Sequence, residues 1–384
     1  MGESDGKVID MHFHIGLLGD KYPHWGRLDP WYQRQLAFKI FLLYARIDPS
    51  HLSDDTLREK TLRTIDECSL DHVVCLAMDP VYDRSGQRRE DKSYMWVDND
   101  YVLDLRRELG DKILLGASVH PYDPDFTDRV KKYTDQGAAL LKWLPSSQQI
   151  NLADSRVRAA TLGLASAGPE GRPLPLLLHV GPEYAIPTTD AKARSYDFLS
   201  WSWWDDLWNS LRRPSRRWYR PETEKIAETL DTALSAGAVI IFAHCGLPYF
   251  SGRLLKRIFE HSDLKTVRRY LERYRQATAG SGRALADVSA CATPFRQPFF
   301  ERIRELPEGS LVFGSDFPTP VFELSADLEE AWRDMKAVFQ GHLDRVIIPQ
   351  DNLLDVNYRE LRTAFPGHPM FGNFEALLPH TGGL

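Results

Sequence analysis

Eight short apolar runs, separated by polar segments with helical spacing, constrain this chain more than any other feature. They are KVIDMHF (7–13), HVVCLAM (72–78), ILLGASV (113–119), AALLKWL (138–144), LPLLLHV (174–180), AVIIFAH (238–244), LADVSAC (285–291) and SLVFGSD (310–316). Strands buried on both faces read as near-continuous apolar runs, and parallel pairing needs a helical crossover between successive strands. DDTLREKTLRTIDECS predicts a helix before the second run, and RPETEKIAETLDTALSAG predicts one before the sixth, ending at Gly237 as a helix C-terminus does. Eight such strands predict an α/β fold closed into a (β/α)8 TIM barrel. The alternative, an open doubly wound sheet, lacks the GxGxxG turn after its first strand.

One barrel domain over residues 1–384 leaves room for two long insertions, at about 17–60 and 183–221. They follow the first and fifth runs, so both belong to the face where barrel loops build active sites. The first carries PHWGRLDPWYQRQLAFKIFLLYARIDP and the second SYDFLSWSWWDDLWNSLRRPSRRWYRP. Trp201, Trp203, Trp204 and Trp208 fit an aromatic lid over a flat substrate, or packing of an inserted helix and burial in a homo-oligomer interface. The basic run from Arg212 to Arg220 either steers an acidic substrate or forms a solvated face beside Asp205 and Asp206. Near the end, NLLDVNYRELRTAFP predicts a closing helix with Leu353, Leu354, Tyr358 and Leu361 on one side.

A composition of 43% hydrophobic and 27% charged residues suits a globular protein with a substantial core. A net charge of -6 and a pI near 6.1 exclude a dedicated nucleic-acid binder, which needs a concentrated basic surface. FKIFLLYARI is far shorter than the roughly 20 apolar residues of a membrane span, and MGESDGK has no signal-peptide core. The expected location is the cytoplasm. Cys68, Cys75, Cys245 and Cys291 lack CxxC spacing, which predicts small buried hydrophobes in a reducing compartment.

The chemistry lies at the ends of the runs. In KVIDMHFHIG, Asp10, His12 and His14 alternate, and alternate residues of a strand face the same way. His12 and His14 end the first run, Lys142 sits in the fourth, His179 in the fifth, His244 ends the sixth and Asp316 ends the eighth. A closed barrel brings these ends to one rim. Each alone reads as a hydrogen-bonded core residue or a turn cap. Together, buried unpaired, they would cost several kcal/mol, a cost that coordination of a divalent cation removes. Nitrogen and carboxylate donors suit Zn²⁺ or a similar ion such as Mn²⁺.

The order IDMHFH, LLHVG, FAHCG, FGSDFP resembles the amidohydrolase superfamily, in particular its amidohydrolase-2 branch of metal-dependent hydrolases and aminocarboxymuconate-semialdehyde-decarboxylase-like enzymes. The resemblance runs from residue 7 to about 365. It implies that His12, His14, His179 and Asp316 hold the metal and that His244 stands beside the substrate or binds a second ion. Lys142 then has two readings: a lysine carboxylated by CO₂ that bridges two metals, or a charged lysine paired with Glu183 or a substrate carboxylate. Glu183 is that partner or a substrate contact. His120, at the end of the third run, is a packing or substrate-contact residue.

The implied activity is hydrolysis of a C–N or C–O bond in a small organic amide, ester or lactone. A divalent ion lowers the pKa of bound water toward about 7. Asp316 takes and redelivers the proton, and His244 stabilises the oxyanion. The alternative is non-oxidative decarboxylation of an aromatic or unsaturated acid. Some decarboxylases of the branch carry Glu in place of the first histidine, and His12 there tilts the reading toward hydrolysis.

Overall fold

All eight runs form strands, and each pairs in parallel with the next in sequence. The computed structural model describes residues 6–183, 185–211, 217–247, 262–275, 281–293, 296–319 and 350–378. The strands are β1 (Ile9–His14), β2 (His72–Leu76), β3 (Ile113–Ala117), β4 (Ala138–Trp143), β5 (Leu176–Leu178), β6 (Val239–Phe242), β7 (Arg283–Asp287) and β8 (Leu311–Val312). The chain beyond β8 closes the circle. Met11 N donates to Phe313 O at 3.2 Å, Asp316 N to His12 O at 2.7 Å and His14 N to Phe317 O at 3.0 Å. The fold is the expected α/β barrel. β8 is shorter than its apolar run because these later bonds to β1 follow an irregular register.

Between strands, the predicted helices form: Asp54–Asp66, capped by Ser53 accepting from Thr56 N, and Thr223–Ser235, followed by Gly237 at φ 105°. The closing helix spans Leu353–Ala364, and buries Leu353, Leu354, Val356 and Leu361. Half-buried Tyr358 packs edge-on against Phe313, with ring centroids 5.8 Å apart. Ile9, Met11, Val74, Leu140, Ile241 and Leu285 belong to one buried cluster that fills the barrel interior. A larger cluster lies between strands and helices. Among the described residues no helix is long and apolar enough to cross a membrane.

The expected alternation of Asp10, His12 and His14 is broken. The β1–β2 register shifts between Asp10 and Phe13. Met11 therefore stays in the interior cluster while its neighbour His12 also reaches inward, towards Lys142 and Asp287. Asp10 alternates away from Ile9 and Met11, and its buried Oδ1 accepts the amides of His12 at 3.0 Å and Ser315 at 2.8 Å. It secures the bulge and the β8 loop rather than joining the histidines. Gly314 is required beside it, because a Cβ there would come within 2.7 Å of His12 Cβ.

Candidate metal centre

Three ligand atoms from opposite ends of the chain meet at the barrel mouth. His12 Nε2 and His14 Nε2 are 3.1 Å apart. Asp316 Oδ1 lies 3.2 Å from His14 Nε2 and 3.4 Å from His12 Nε2. Donors about 2.0–2.1 Å from one tetrahedral ion stand roughly 3.4 Å apart, so this spacing fits a small divalent cation. Asp316 reaches the pair from a strained position at φ 60°. Its Oδ2 accepts from Thr319 Oγ1 at 2.8 Å. Burial would raise the Asp316 carboxyl, but His244, His14 and His12 hold it well below the usual carboxylate range.

A buried network beneath fixes the orientation of His12. Its Nδ1 is 2.9 Å from Asp287 Oδ2, and both side chains are fully buried. Nδ1–H donates to this carboxylate, which leaves the Nε2 lone pair facing the other ligands, the arrangement that metal-binding histidines use. Asp287 Oδ1 accepts the amides of His244 at 2.9 Å and Ser289 at 3.0 Å, and also the Ser289 hydroxyl. Burial opposes ionisation of Asp287, yet His12, His244 and Ser289 hold its carboxyl far below the ordinary value. Burial pushes the His12 imidazole down to about 4, aided by Lys142. The ring is neutral near pH 7.

Asp287 and Ser289 are the functional candidates that sequence reasoning missed. The signal existed: Asp287 keeps the parity of inward-facing Leu285 and ends β7, as His244 and Asp316 follow their own strands. His12, His244 and Asp287 form a second cluster of ligand-type side chains. Here it is a hydrogen-bond network, because His12 Nδ1 carries the proton given to Asp287.

The same network determines the His244 proton. The Ser289 hydroxyl points to Asp287, so Ser289 Oγ accepts from His244 Nδ1, 2.8 Å away. His244 Nε2 is then an acceptor. This modifies its expected role as an oxyanion donor: the residue must take a proton before it can give one. His244 follows β6 in the left-handed region at φ 55°, stacks on His12 at 5.1 Å and meets His179 edge-on at 5.3 Å.

His179 lines the same cavity as His14, His244 and Asp316, but belongs to neither compact group of ligand-type side chains. Its Nε2 faces Glu183 Oε2 at 3.1 Å and its Nδ1 lies 3.6 Å from Asp197 Oδ2. Burial pushes the imidazole down, and Glu183 with Asp197 more than offset it, raising the net value. Glu183 thus pairs with His179, and its Oε1 accepts from the Ile186 amide at 2.9 Å. Asp197, fully buried, arrives from the second insertion and also accepts from Ser146 N at 2.8 Å. No strand-end pattern announced it.

Lys142 is fully buried with Nζ 3.1 Å from His12 Nε2, and burial pushes its ammonium down to about 8. Nζ therefore meets His12 rather than Glu183. His120 does not reach the cavity. Its Nε2 bonds Gln148 O at 2.8 Å and its Nδ1 accepts from Tyr122 N at 3.1 Å. Both nitrogens are consumed by backbone, so the packing reading of His120 holds and substrate contact does not.

Among the described residues, the cavity above the centre is walled largely by the first insertion. Helices α1 (Pro30–Gln33) and α2 (Leu36–Tyr44) contribute Tyr32, Phe38, Phe41 and Leu42. Among the described residues of the second insertion, only Glu183, Ala185 and Ile186 reach the lining. Helix α3 (Trp203–Leu211) carries Trp203 at 63%, Leu207 at 44% and Leu211 at 71% exposure. Trp201 lies off the cavity too, its Nε1 donating to Asp206 Oδ1 at 2.7 Å. The lid reading fails for Trp201 and Trp203. Arg212 to Ser215 and Arg216 lie outside the described residues, whereas Arg217 and Arg220 are exposed. All four cysteines are buried and free.

No protein-family model matches the sequence. No curated protein matches it either. Solved structures similar to it include IDCase of Metarhizium anisopliae in apo form, 13% identical over 98% of this chain and 97% of that one, with a TM-score of 0.44. A putative 2-pyrone-4,6-dicarboxylic acid hydrolase of Pseudomonas putida is 13% identical over 96% and 98%, with a TM-score of 0.43. The manganese-bound 5-carboxyvanillate decarboxylase of Novosphingobium aromaticivorans is 14% identical over 93% and 99%, with a TM-score of 0.44.

Proposed function

We propose that this chain is a single-domain, metal-dependent hydrolase of the amidohydrolase type that cleaves a C–N or C–O bond of a small organic molecule. The observation that carries the reading is the meeting of His12 Nε2, His14 Nε2 and Asp316 Oδ1 within 3.1–3.4 Å at one end of a closed barrel. The motif resemblance of the sequence adds to it. His12, His14 and Asp316 would hold the ion. His179, now facing Glu183, would complete the set. Zn²⁺ or Mn²⁺ suits these donors.

A bound divalent ion supplies Lewis acidity and a water of lowered pKa. The remaining chemistry belongs to the chain. Asp287 and Ser289 hold His12 and His244 in fixed proton arrangements, so the centre needs no reorganisation as charge develops. His244 Nε2 and the Asp316 carboxylate accept a proton, and each returns it to the departing nitrogen or oxygen. Lys142, its ammonium pushed down by burial to about 8, either donates to His12 Nε2 or, once deprotonated, carries CO₂ as a carbamate.

The proton arrangement favours hydrolysis over decarboxylation. Activation of water needs a proton acceptor, and His244 Nε2 is one. Decarboxylation must deliver a proton to carbon, which His244 Nε2 can do only after it has first taken one up. The test is a purified protein loaded with Zn²⁺ or Mn²⁺ and assayed on amides, esters and lactones beside aromatic acids. Metal-dependent cleavage is expected. Release of CO₂ without cleavage would overturn the hydrolase reading.

A further inference from the structure

The cavity is divided chemically. His14, His179, Glu183, His244 and Asp316 form its polar part, the first insertion presents Leu28, Tyr32, Phe38, Phe41, Leu42 and Ile47, and Lys60 and Arg296 also line it. A barrel needs no helix at this place, and α2 (LAFKIFLLY) could have turned a charged face inward. Instead it buries Phe38 and Leu42 and leaves Phe41 half-buried against the space.

The wall is fixed in position. Asp54 Oδ1 accepts the amides of Leu18 at 2.6 Å and Gly19 at 3.2 Å, and Oδ2 accepts those of Lys21 at 2.9 Å and Tyr22 at 3.0 Å. Across the mouth, the Tyr32 hydroxyl donates to Ala185 O at 2.6 Å, joining the apolar wall to the segment that carries Glu183. A preformed apolar surface facing a polar centre is a specificity device: it rewards a ligand whose reacting group is polar and whose other end is not.

We propose that the substrate carries an uncharged apolar body, an aryl ring or medium-length acyl chain, seated on the Phe38–Phe41–Leu42 wall while its scissile group faces His14 and Asp316. This rests on the hydrolase reading for the orientation, and on the cavity alone for the apolar body.

The test titrates n-acyl hydroxamates of about two to eight carbons into the protein by calorimetry, with and without Mn²⁺. Burial of each methylene predicts affinity rising about fourfold per carbon until the wall is covered. Phe41→Ser should flatten the increment, and Leu162→Ser, on the outer surface, should leave it unchanged. Affinity independent of chain length in the unaltered protein overturns the inference, whether or not the variants fold. If the increment appears but Mn²⁺ does not tighten binding, the metal reading fails and the apolar site stands.

Discussion

The strand ends and the tryptophan-rich helix are the two places where the sequence puts conspicuous side chains on one face of the barrel, and they end differently. His12, His14, Asp287 and Asp316 converge, because strand registry and the loop beyond β8 fix their backbones to one another. Trp203, Leu207 and Leu211 repeat every fourth residue along one exposed side of their helix. Proximity to the rim does not make a residue functional. What matters is a backbone held by the barrel and a side chain held by a second layer.

Five substitutions, taken from the largest effect to the smallest, would break or sharpen that contrast. Asp316→Asn removes both a ligand and a proton carrier, and should lower kcat by roughly 10²–10⁴-fold in a metal-loaded hydrolysis assay. An effect under about tenfold would detach Asp316 from the chemistry. Asp287→Asn leaves all three ligands in place but frees His12 Nδ1, and should weaken metal affinity about 10–100-fold in chelator competition. Unchanged affinity would reduce Asp287 to packing.

Asp54→Ala leaves four loop amides without their acceptor and should cost about 2 kcal/mol or more in urea unfolding. The pH dependence has a definite sign. Burial would raise the Asp54 carboxyl, but the loop amides pull it below its ordinary 3.8, so its contribution is complete above that value and is lost as pH falls through lower values. In Asp54→Ala this part of the acid dependence should vanish. At the small end, Trp203→Ala and Leu211→Ser should change stability by no more than about 0.5 kcal/mol and leave kcat unaltered. A large loss of activity from either would restore the lid.

Much of this was legible in the sequence. The eight runs announced the barrel because parallel strands buried on both faces leave apolar stretches. His12, His14 and Asp316 were legible because a polar side chain ending such a stretch has few bland explanations. Asp287 could have been found by the same rule. Asp197 could not, since it comes from an insertion where no period constrains it. The break between Asp10 and His12 was invisible too, because a bulge depends on the partner strand and not on the local pattern. His120 looked like a rim residue, but its nitrogens were already committed to Gln148 and Tyr122.

The central claim is tested most directly by anomalous diffraction from crystals soaked in Mn²⁺ or Zn²⁺, recorded at the metal edge. The account predicts one strong peak about 2.0–2.2 Å from His12 Nε2, His14 Nε2 and an Asp316 oxygen. No peak at the barrel mouth at saturating metal, with those three side chains still in mutual contact, would contradict it.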